Sequence, residues 1–237
     1  FNMNQILASE LQDTKFRHEY KYHISYSDYL ALKQRLNAVA KPDPNAGPTG
    51  GYHIRSLYFD NLYDTALKEK IEGINNREKF RIRIYNCDDS FIRLEKKSKI
   101  NGLCNKISAN LTRTETEKIV SGDIEWMREA DRALVVELYS KMKSKLLRPS
   151  VIVDYTRDPY VYSPGNVRIT LDYNIKTGLK NTSLFDSETP TVTAGTPVFL
   201  LEVKYDEFLP AVIQDIIQLS NRRSTAFSKY GICRIYG

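Results

Sequence analysis

Charged side chains recur two residues apart in stretches of the sequence that are otherwise rich in β-branched and aromatic residues. The pairs are Glu19/Lys21, Arg81/Arg83, Glu95/Lys97 and Glu202/Lys204. Because successive side chains of a β-strand point to opposite faces, the two charges of each pair lie on the same face. The positions that point to the other face are largely apolar, as at Ile82, Leu94 and Val203. This pattern predicts strands with one charged and one apolar face, and the apolar face needs a core or covering helices.

Strand-like stretches outnumber helical ones along the chain. We predict strands over residues 16–24, 51–60, 78–85, 90–97, 148–157, 166–172 and 197–205. Helical periodicity predicts helices over residues 27–40, over 112–120 with a continuation toward 145, and over 210–219. The loops at 41–51 and 177–197 do not divide the chain. We therefore expect one domain over residues 1–237, of the α+β class and mainly antiparallel β.

The charged faces allow two arrangements. For a single strand, the simpler interpretation is a face exposed to water, as on one side of many antiparallel sheets. Here the pattern repeats over several strands, Arg and Lys dominate it, and each Glu of a pair lies two residues from a Lys. We therefore expect a closed tunnel barrel whose charged faces line the interior, with the apolar faces turned outward beneath helices packed on the outside.

A charged interior has a chemical consequence. Buried cations lose hydration that a few carboxylates replace only in part, so such an interior must hold water and bind an anion. A chain of phosphates supplies this charge: Arg binds phosphate oxygens with two N–H groups, and a carboxylate can hold Mg²⁺ or Mn²⁺ against them. Phosphoryl transfer requires mainly positioning and charge neutralisation. The excess of 35 Lys and Arg over 29 Asp and Glu is consistent with an anionic partner without identifying it.

Other features of the sequence set the expected environment. It has no apolar run of the roughly eighteen residues that span a membrane, and no secretion signal. The three cysteines, Cys87, Cys104 and Cys233, are widely spaced and form no Cys-x-x-Cys pair. This argues against a disulfide framework or a zinc site. We expect a cytoplasmic protein, either free or at the cytoplasmic face of a membrane beside a membrane-protein partner.

At its charged strands the sequence resembles the polyphosphate polymerase domain of the vacuolar transporter chaperone family, a branch of the triphosphate tunnel metalloenzymes. The resemblance runs from Phe16 to Tyr230. Its motifs are Arg17-His18-Glu19-Tyr20-Lys21-Tyr22, Arg55-Ser56-Leu57-Tyr58-Phe59-Asp60, Arg81-Ile82-Arg83, Leu94-Glu95-Lys96-Lys97, Tyr155-Thr156-Arg157, Val167-Arg168-Ile169-Thr170-Leu171-Asp172, Leu201-Glu202-Val203-Lys204 and Ser228-Lys229-Tyr230. Each motif is short, and their order and combination carry the resemblance.

The resemblance implies an antiparallel tunnel in which ATP passes its terminal phosphate to a growing inorganic polyphosphate chain. By this resemblance, the catalytic residues, which bind the phosphates, are Lys21, Arg81, Arg83, Lys97, Arg157, Arg168, Lys204 and Lys229. The substrate-binding residues are Glu19, Arg55, Lys106 and Tyr155. Glu202 would hold the metal, Mn²⁺ or Mg²⁺, with Glu95 as a second carboxylate.

One departure from the family pattern bears on the reaction. Hydrolytic tunnel enzymes resemble one another in a Glu-x-Glu-x-Lys first strand, and Arg17 replaces the first Glu here. This favours the polymerase branch and leaves open a triphosphatase with unusual metal binding. A non-catalytic module that binds polyphosphate or inositol phosphates is a further alternative. An RNA-binding barrel would need aromatics among the basic residues of one face; the aromatics fall mostly elsewhere, so we expect no nucleic-acid partner.

Overall fold

The computed structural model describes residues 17–44, 46, 50–74, 76–100, 103–218 and 228–235. Phe16, at the start of the first predicted strand, lies outside these ranges, as does part of the predicted loop at 41–51. The described residues form a single ten-stranded sheet with helices on both of its sides. The expected α+β class is confirmed.

The strands are all paired antiparallel. They are β1 (His18–Ile24), β2 (Lys41–Pro42), β3 (Tyr52–Asp60), β4 (Arg77–Tyr85), β5 (Asp88–Ile100), β6 (Leu103–Leu111), β7 (Arg148–Tyr162), β8 (Val167–Thr177), β9 (Val192–Thr193) and β10 (Phe199–Tyr205). Their order is β1-β10-β8-β7-β3-β4-β5-β6, with β2 on β7 and β9 on β8. β6 was not predicted because its sequence alternates poorly; its ladder with β5, which places Lys106 opposite Lys97, holds it in the sheet.

The sheet curves strongly without closing. No ladder joins β1 to β6 among the described residues, so the expectation of a closed barrel is wrong. The curvature still brings distant strands together, since Lys97 Nζ on β5 lies 3.4 Å from Glu19 Oε2 on β1. The twist between adjacent strands accumulates across a sheet of this width. The result is a trough, and we call the concave side that carries Lys97 and Glu19 the inner face.

The helices are short. They are α1 (Tyr26–Val39), α2 (Thr65–Ile71), α3 (Arg113–Ser121), α4 (Ala133–Ser144), α5 (Ala211–Ile217) and α6 (Lys229–Ile235), with 3₁₀ turns at Glu125–Glu129 and Pro164–Asn166. α2 and α6 were not predicted, because seven residues are too few to establish a helical period. Every helix within the described ranges is too short or too polar to cross a membrane.

Side-chain caps fix where two of the helices begin. Ser25 and Asp28 form a capping box at the start of α1. Thr112 and Glu115 do the same for α3. α3 ends where Gly122 adopts a left-handed conformation at φ 88°, which stops the chain from continuing as a helix. The long helix predicted from residue 112 toward 145 is therefore two helices, α3 and α4.

Two apolar cores cover the outer, convex face. One lies between strands β3 to β6 and helices α3 and α4, and it fully buries Ile82 and Leu94. The other lies between β8, β10, α1 and α5, and it fully buries Leu32 and Ile169. Complete burial of one such side chain contributes roughly 1.5–3 kcal/mol. These cores hold the curved sheet in shape from outside, as the alternation of apolar residues predicts.

A third apolar cluster lies on the inner face, and α6 covers its part at one end of the trough. Tyr230 and Cys233 of α6 pack there against Tyr58 and Val153. The phenol of Tyr230 donates a hydrogen bond to the buried carboxylate of Asp60, which ties α6 to the end of β3. The expectation that the helices pack outside is therefore wrong for α6, which covers one end of the inner face.

A β-bulge in β8 separates the charged part of the inner face from this apolar end. The β7–β8 register shifts between Asp154 and Thr156, and Asn174 adopts a left-handed φ of 52°. An extra residue in one strand changes which side chains point inward. Asp172 contacts the interior before the bulge, and Ile175 joins the inner apolar cluster after it.

Candidate functional site

The structure brings together all but one of the side chains that the sequence predicts for the site. Those on the inner face are Glu19, Lys21, Arg81, Arg83, Glu95, Lys97, Lys106, Tyr155, Arg157, Arg168, Glu202, Lys204 and Lys229. They come from the two walls of the trough, one formed by β1 and β10 and the other by β4, β5 and β6. The remainder come from the floor between the walls, formed by β8, β7 and β3, and from α6 at one end. Cations outnumber carboxylates in this set.

Arg55 is the exception, because it lies on the outer face of β3. Its Nε and Nη2 each donate at 2.9 Å to an oxygen of Asp154. Its Nη1 donates at 2.5 Å to the carbonyl of Asp186. Leu57 and Phe59, which share its face, belong to an outer core. Arg55 is therefore separated from the inner face and fastens the loop around Asp186 to the sheet.

Two carboxylates share one lysine where β1 pairs with β10. Lys204 Nζ lies 2.7 Å from Glu202 Oε1 and 3.6 Å from Glu19 Oε1. The other oxygen of Glu19, Oε2, lies 3.1 Å from Lys21 Nζ and 3.4 Å from Lys97 Nζ. We call Glu19, Lys21, Lys97, Glu202 and Lys204 the β1/β10 cluster. It alternates positive and negative charges within reach of the open interior.

The electrostatics of this cluster keep its buried carboxylate ionised. Burial raises the pKa of Glu202, but Lys204 and Lys21 more than compensate and lower that pKa well below its usual range. Burial lowers the pKa of Lys97, and repulsion from Lys21 lowers it further, while Glu19 opposes both effects. Lys97 therefore loses its proton at a lower pH than an ordinary lysine.

Asp172 joins α6 to the wall of the trough. Arg157 donates to its two oxygens at 2.7 and 2.8 Å, and Lys229 Nζ lies 2.6 Å from Oδ2. The side chain of Asp172 is 0% exposed. Burial raises its pKa, and the two cations outweigh this effect and lower the pKa below its ordinary value. Asp172 thus fixes the head groups of two cations at the floor of the charged region.

Tyr155 places a buried phenol among three of these cations. Arg83 Nη2 donates to its hydroxyl at 3.1 Å. The head groups of Arg157 and Lys229 lie 5.5 and 4.7 Å from the centre of its ring. Burial raises the pKa of Tyr155, but Arg157 and Arg83 outweigh burial and lower it. The hydroxyl is therefore a strongly polarised donor facing the charged interior.

Glu95 lies on the opposite wall and is enclosed by cations. Its Oε2 accepts from Arg81 Nε at 2.6 Å and lies 3.8 Å from Arg83 Nη1. Its Oε1 lies 3.0 Å from Lys106 Nζ. Burial raises the pKa of Glu95, and Arg81 and Arg83 lower it well below its usual range. Because both oxygens are engaged by cations, Glu95 is poorly placed to bind a metal.

Three lysines and one arginine of the inner face remain accessible to water, whereas Arg83 and Arg157 are largely enclosed. The exposed fractions of the side chains are 42% for Lys97, 43% for Lys106 and 35% for Lys204. Arg168, at the end of the trough opposite α6, is 39% exposed and lies 2.9 Å from Asp43. The inner face thus combines an excess of positive charge with exposed ammonium and guanidinium groups. A polyanion would neutralise this charge.

Glu19 and Glu202 fit a divalent metal better than Glu95 does. Oε1 of Glu19 is buried and makes no hydrogen bond, and neither does the hydroxyl of Thr170, which lies opposite Glu202 in the β8–β10 ladder. Nowhere in the described residues do three Asp, Glu, His or Cys side chains gather at one point. Mg²⁺ and Mn²⁺ commonly complete such a site with water and substrate phosphates. Arg17 adds no ligand, because it pairs with Asp206 at 2.8 Å.

Sequence reasoning missed the polar groups that hold these cations in place. They are Asp43, Ser56, Tyr58 and Asp172. Asp172 could have been found, because it lies four residues after Arg168 and therefore on the same face of β8. Asp43 carried no signal, since it follows the two-residue strand β2 in a segment that resembles a loop.

Aromatic rings also lie on the inner face, contrary to the expectation that they fall outside the charged positions. Tyr58 and Tyr155 hydrogen-bond to inner arginines and are 8% and 3% exposed. Tyr52, Tyr85 and Phe91 follow one another at the end opposite α6, with ring centres 5.6 and 6.1 Å apart. The buried rings cannot stack on the bases of a nucleic acid.

Known proteins share this architecture. The VTC domain family model matches residues 16–236. A candidate adenylyl cyclase from Hippeastrum, described as having a dominant triphosphatase activity, superposes with a TM-score of 0.58 over 92% of this chain and 95% of that chain, at 12% identity. A candidate adenylate cyclase from Bacillus halodurans gives a TM-score of 0.49 over 80% of each chain, at 12% identity. No protein with a curated description matches the sequence.

These similarities differ in what they establish. At 12% identity, the likeness to the Hippeastrum protein shows a shared fold. The family match extends over almost the whole chain, including every strand of the sheet. The chain therefore belongs to the VTC domain family, and its fold is shared with the Hippeastrum protein.

Proposed function

We propose that the protein is a metal-dependent phosphotransferase that passes the terminal phosphate of ATP to a growing chain of inorganic polyphosphate. The observation that carries this proposal is the inner face, where cations outnumber carboxylates and Lys97, Lys106 and Lys204 stay accessible to water. Membership of the VTC domain family supports a triphosphate as substrate. A membrane-protein partner stays a prediction.

In this proposal the two walls bind successive phosphates. Arg81 and Arg83 present guanidinium groups from β4, and the lysines of the β1/β10 cluster face them from the other wall. Arg157 and Lys229, held by Asp172, act at the floor. Together these groups neutralise the triphosphate and orient its terminal phosphate for in-line attack by an oxygen of the polyphosphate chain. No nucleophile from the protein is required.

Glu202 and Glu19 are the residues we assign to the metal. A divalent ion bound there would supply further neutralisation of charge on the transferred phosphate. Lys204 Nζ lies within reach of both carboxylates, so its ammonium has to turn toward the substrate phosphates when the ion binds. Glu95 keeps Arg81 and Lys106 in position from the opposite wall.

A triphosphatase is the second candidate, and one observation favours it. Among the described residues, α6 packs across one end of the inner face, so substrate and product share the opposite end and the open side between β1 and β6. A polymerase has to release a long product through that shared opening or move α6, whereas a hydrolase releases only short products. The Hippeastrum protein of this fold is described as a triphosphatase.

Analysis of the products separates these candidates. The protein is incubated with ATP and Mn²⁺, with and without a short polyphosphate primer, and the products are resolved on a gel. Glu202→Gln is the test variant. Glu137→Gln, which removes an outer carboxylate paired with Lys96 at 2.6 Å, is the matched control.

The proposal predicts long chains and ADP from the unaltered protein and from Glu137→Gln, with none from Glu202→Gln. Free phosphate without long chains contradicts the polymerase and identifies a hydrolase. Tight binding of polyphosphate without any turnover contradicts both and identifies a binding module.

A further inference from the structure

An aromatic ring stands half exposed on the inner face at the end of the trough opposite α6. Phe91 is 50% exposed. It lies on β5 four residues before Glu95, so both side chains share the inner face. The end that α6 covers is the other one, where Lys79 Nζ sits 4.5 Å from the centre of the Tyr230 ring. Phe91 thus lies at the uncovered end.

Neighbouring side chains hold this ring in place. The ring of Tyr85 lies 6.1 Å away, centre to centre, on the buried side. The guanidinium carbon of Arg93 is 5.6 Å from the centre of the Phe91 ring. Arg93 is itself fixed, because it donates to Asn110 Oδ1 at 2.8 Å and to the hydroxyl of Ser108. The ring therefore presents a flat apolar surface beside a positioned cation.

This surface continues directly into the phosphate-binding region. Arg93 lies opposite Arg83 in the β4–β5 ladder, and Arg83 lies 3.8 Å from Glu95. Four residues of strand separate Phe91 from Glu95 by roughly 13 Å. In a nucleoside triphosphate, the base is separated from the terminal phosphates by the ribose and the α-phosphate. A triphosphate bound among the inner cations would leave its base near Phe91.

We propose that Phe91, supported by Arg93 and Tyr85, is a stacking platform for the purine base of a nucleoside triphosphate. This inference rests on the proposed function, because it requires the triphosphate to bind among the inner cations. Stacking on an aromatic ring stabilises a bound base whatever its hydrogen-bonding edge. The platform therefore selects for the presence of a base and does not distinguish ATP from GTP.

Paired titrations test the platform. ATP, GTP and inorganic tripolyphosphate, which has no base, are each titrated into the full 237-residue chain in EDTA, which prevents turnover. The variants are Phe91→Ala and the conservative Phe91→Tyr. Phe185→Ala is the matched control, because Phe185 lies outside the trough with the guanidinium of Arg113 4.9 Å from its ring.

Phe91→Ala is expected to weaken ATP and GTP by about tenfold and to change tripolyphosphate by less than about twofold. Phe91→Tyr and Phe185→Ala are expected to bind all three ligands as the unaltered protein does. Equal weakening of ATP and tripolyphosphate, or no effect on either, overturns the platform while leaving the proposed function intact. Failure of the unaltered protein to bind any of the three, both in EDTA and with Mn²⁺ present, overturns the proposed function itself.

Discussion

The two walls of the trough each carry a buried carboxylate, and the partners of that carboxylate differ between the walls. On one wall, Glu95 accepts from Arg81 at 2.6 Å and from Lys106 at 3.0 Å, so both of its oxygens are engaged. On the other, Glu202 and Glu19 share Lys204, and one oxygen of Glu19 makes no hydrogen bond. Close contacts thus hold both oxygens of Glu95, whereas Oε1 of Glu19 has only a longer contact of 3.6 Å with Lys204 Nζ.

This difference distinguishes a carboxylate that holds neighbouring cations in place from carboxylates that are available to a metal or substrate. A buried carboxylate whose oxygens are all paired stabilises the cations around it, and removing it leaves those cations unpaired. A buried carboxylate with an unused oxygen retains an unfavourable desolvation energy that a metal or substrate can relieve. We therefore assign Glu95 to positioning Arg81 and Lys106, and Glu19 with Glu202 to the metal. Both assignments can be tested.

The largest effect is expected from Glu95→Gln. It should lower the free energy of unfolding by about 4 kcal/mol, because Arg81, Arg83 and Lys106 would then repel one another without a carboxylate between them. Glu137→Gln, on the outer face, should cost about 0.5 kcal/mol. Urea unfolding measures both. Tripolyphosphate should raise the melting temperature of Glu95→Gln more than that of the unaltered protein, and an equal rise would contradict the assignment.

The next largest effect is expected at the floor of the trough. Asp172→Asn removes the carboxylate that joins Arg157 to Lys229, so it should loosen α6 by about 2 kcal/mol. Hydrogen exchange at the amides of Lys229–Ile235 should then be roughly thirtyfold faster. Asp64→Asn, which removes the partner of Arg234 on the same helix, is the control and should have a smaller effect. Equal effects would mean that Asp172 has no special role in docking α6.

Glu19→Gln tests which wall of the trough holds the metal. If Glu19 is the second metal carboxylate, this variant should raise the Mn²⁺ concentration for half-maximal activity by about tenfold. A variant of Glu95 should leave that concentration unchanged once its lower stability is taken into account. The two titrations are made with ATP at saturation. The reverse order of sensitivity would show that the metal lies on the Glu95 wall.

A smaller effect is expected from the pH dependence of binding. Burial, with repulsion from Lys21, lowers the pKa of Lys97 from 10.5, so this lysine becomes neutral at a lower pH than an exposed one. Affinity for tripolyphosphate should fall a few-fold as the pH rises toward 10.5, and Lys97→Arg should reduce that fall because arginine stays charged. Lys96→Arg should not alter the profile. Identical profiles for all three proteins would exclude a contribution from Lys97.

Alternation along the strands predicts most of the site. It places the cations of β1, β4, β5, β8 and β10 on one face, and the structure brings them together. The exception, Arg55, was assigned from the family resemblance and not from alternation; its strand is buried on both faces, so its charge alone did not say which face is inner. Leu57 and Phe59, two and four residues further on, indicate the correct face.

The remaining errors have a common physical origin in contacts between distant parts of the chain. Nothing local in the sequence specifies whether the sheet closes, because that depends on the twist summed over its strands. α6 lies inside because Tyr230 and Cys233 complete an apolar cluster formed by β3 and β7. Asp172 matters because Lys229 reaches it across 57 residues of sequence.

The central claim is that the inner face, and not the basic surface in general, binds the phosphate chain. Lys96 and Lys97 are adjacent on β5 and lie on opposite faces, with Lys96 paired to Glu137 outside and Lys97 near Glu19 inside. Titration of tripolyphosphate into Lys96→Ala and Lys97→Ala tests the claim most directly. We expect Lys97→Ala to weaken binding by about tenfold and Lys96→Ala to leave it unchanged. Equal weakening in both variants would contradict the claim.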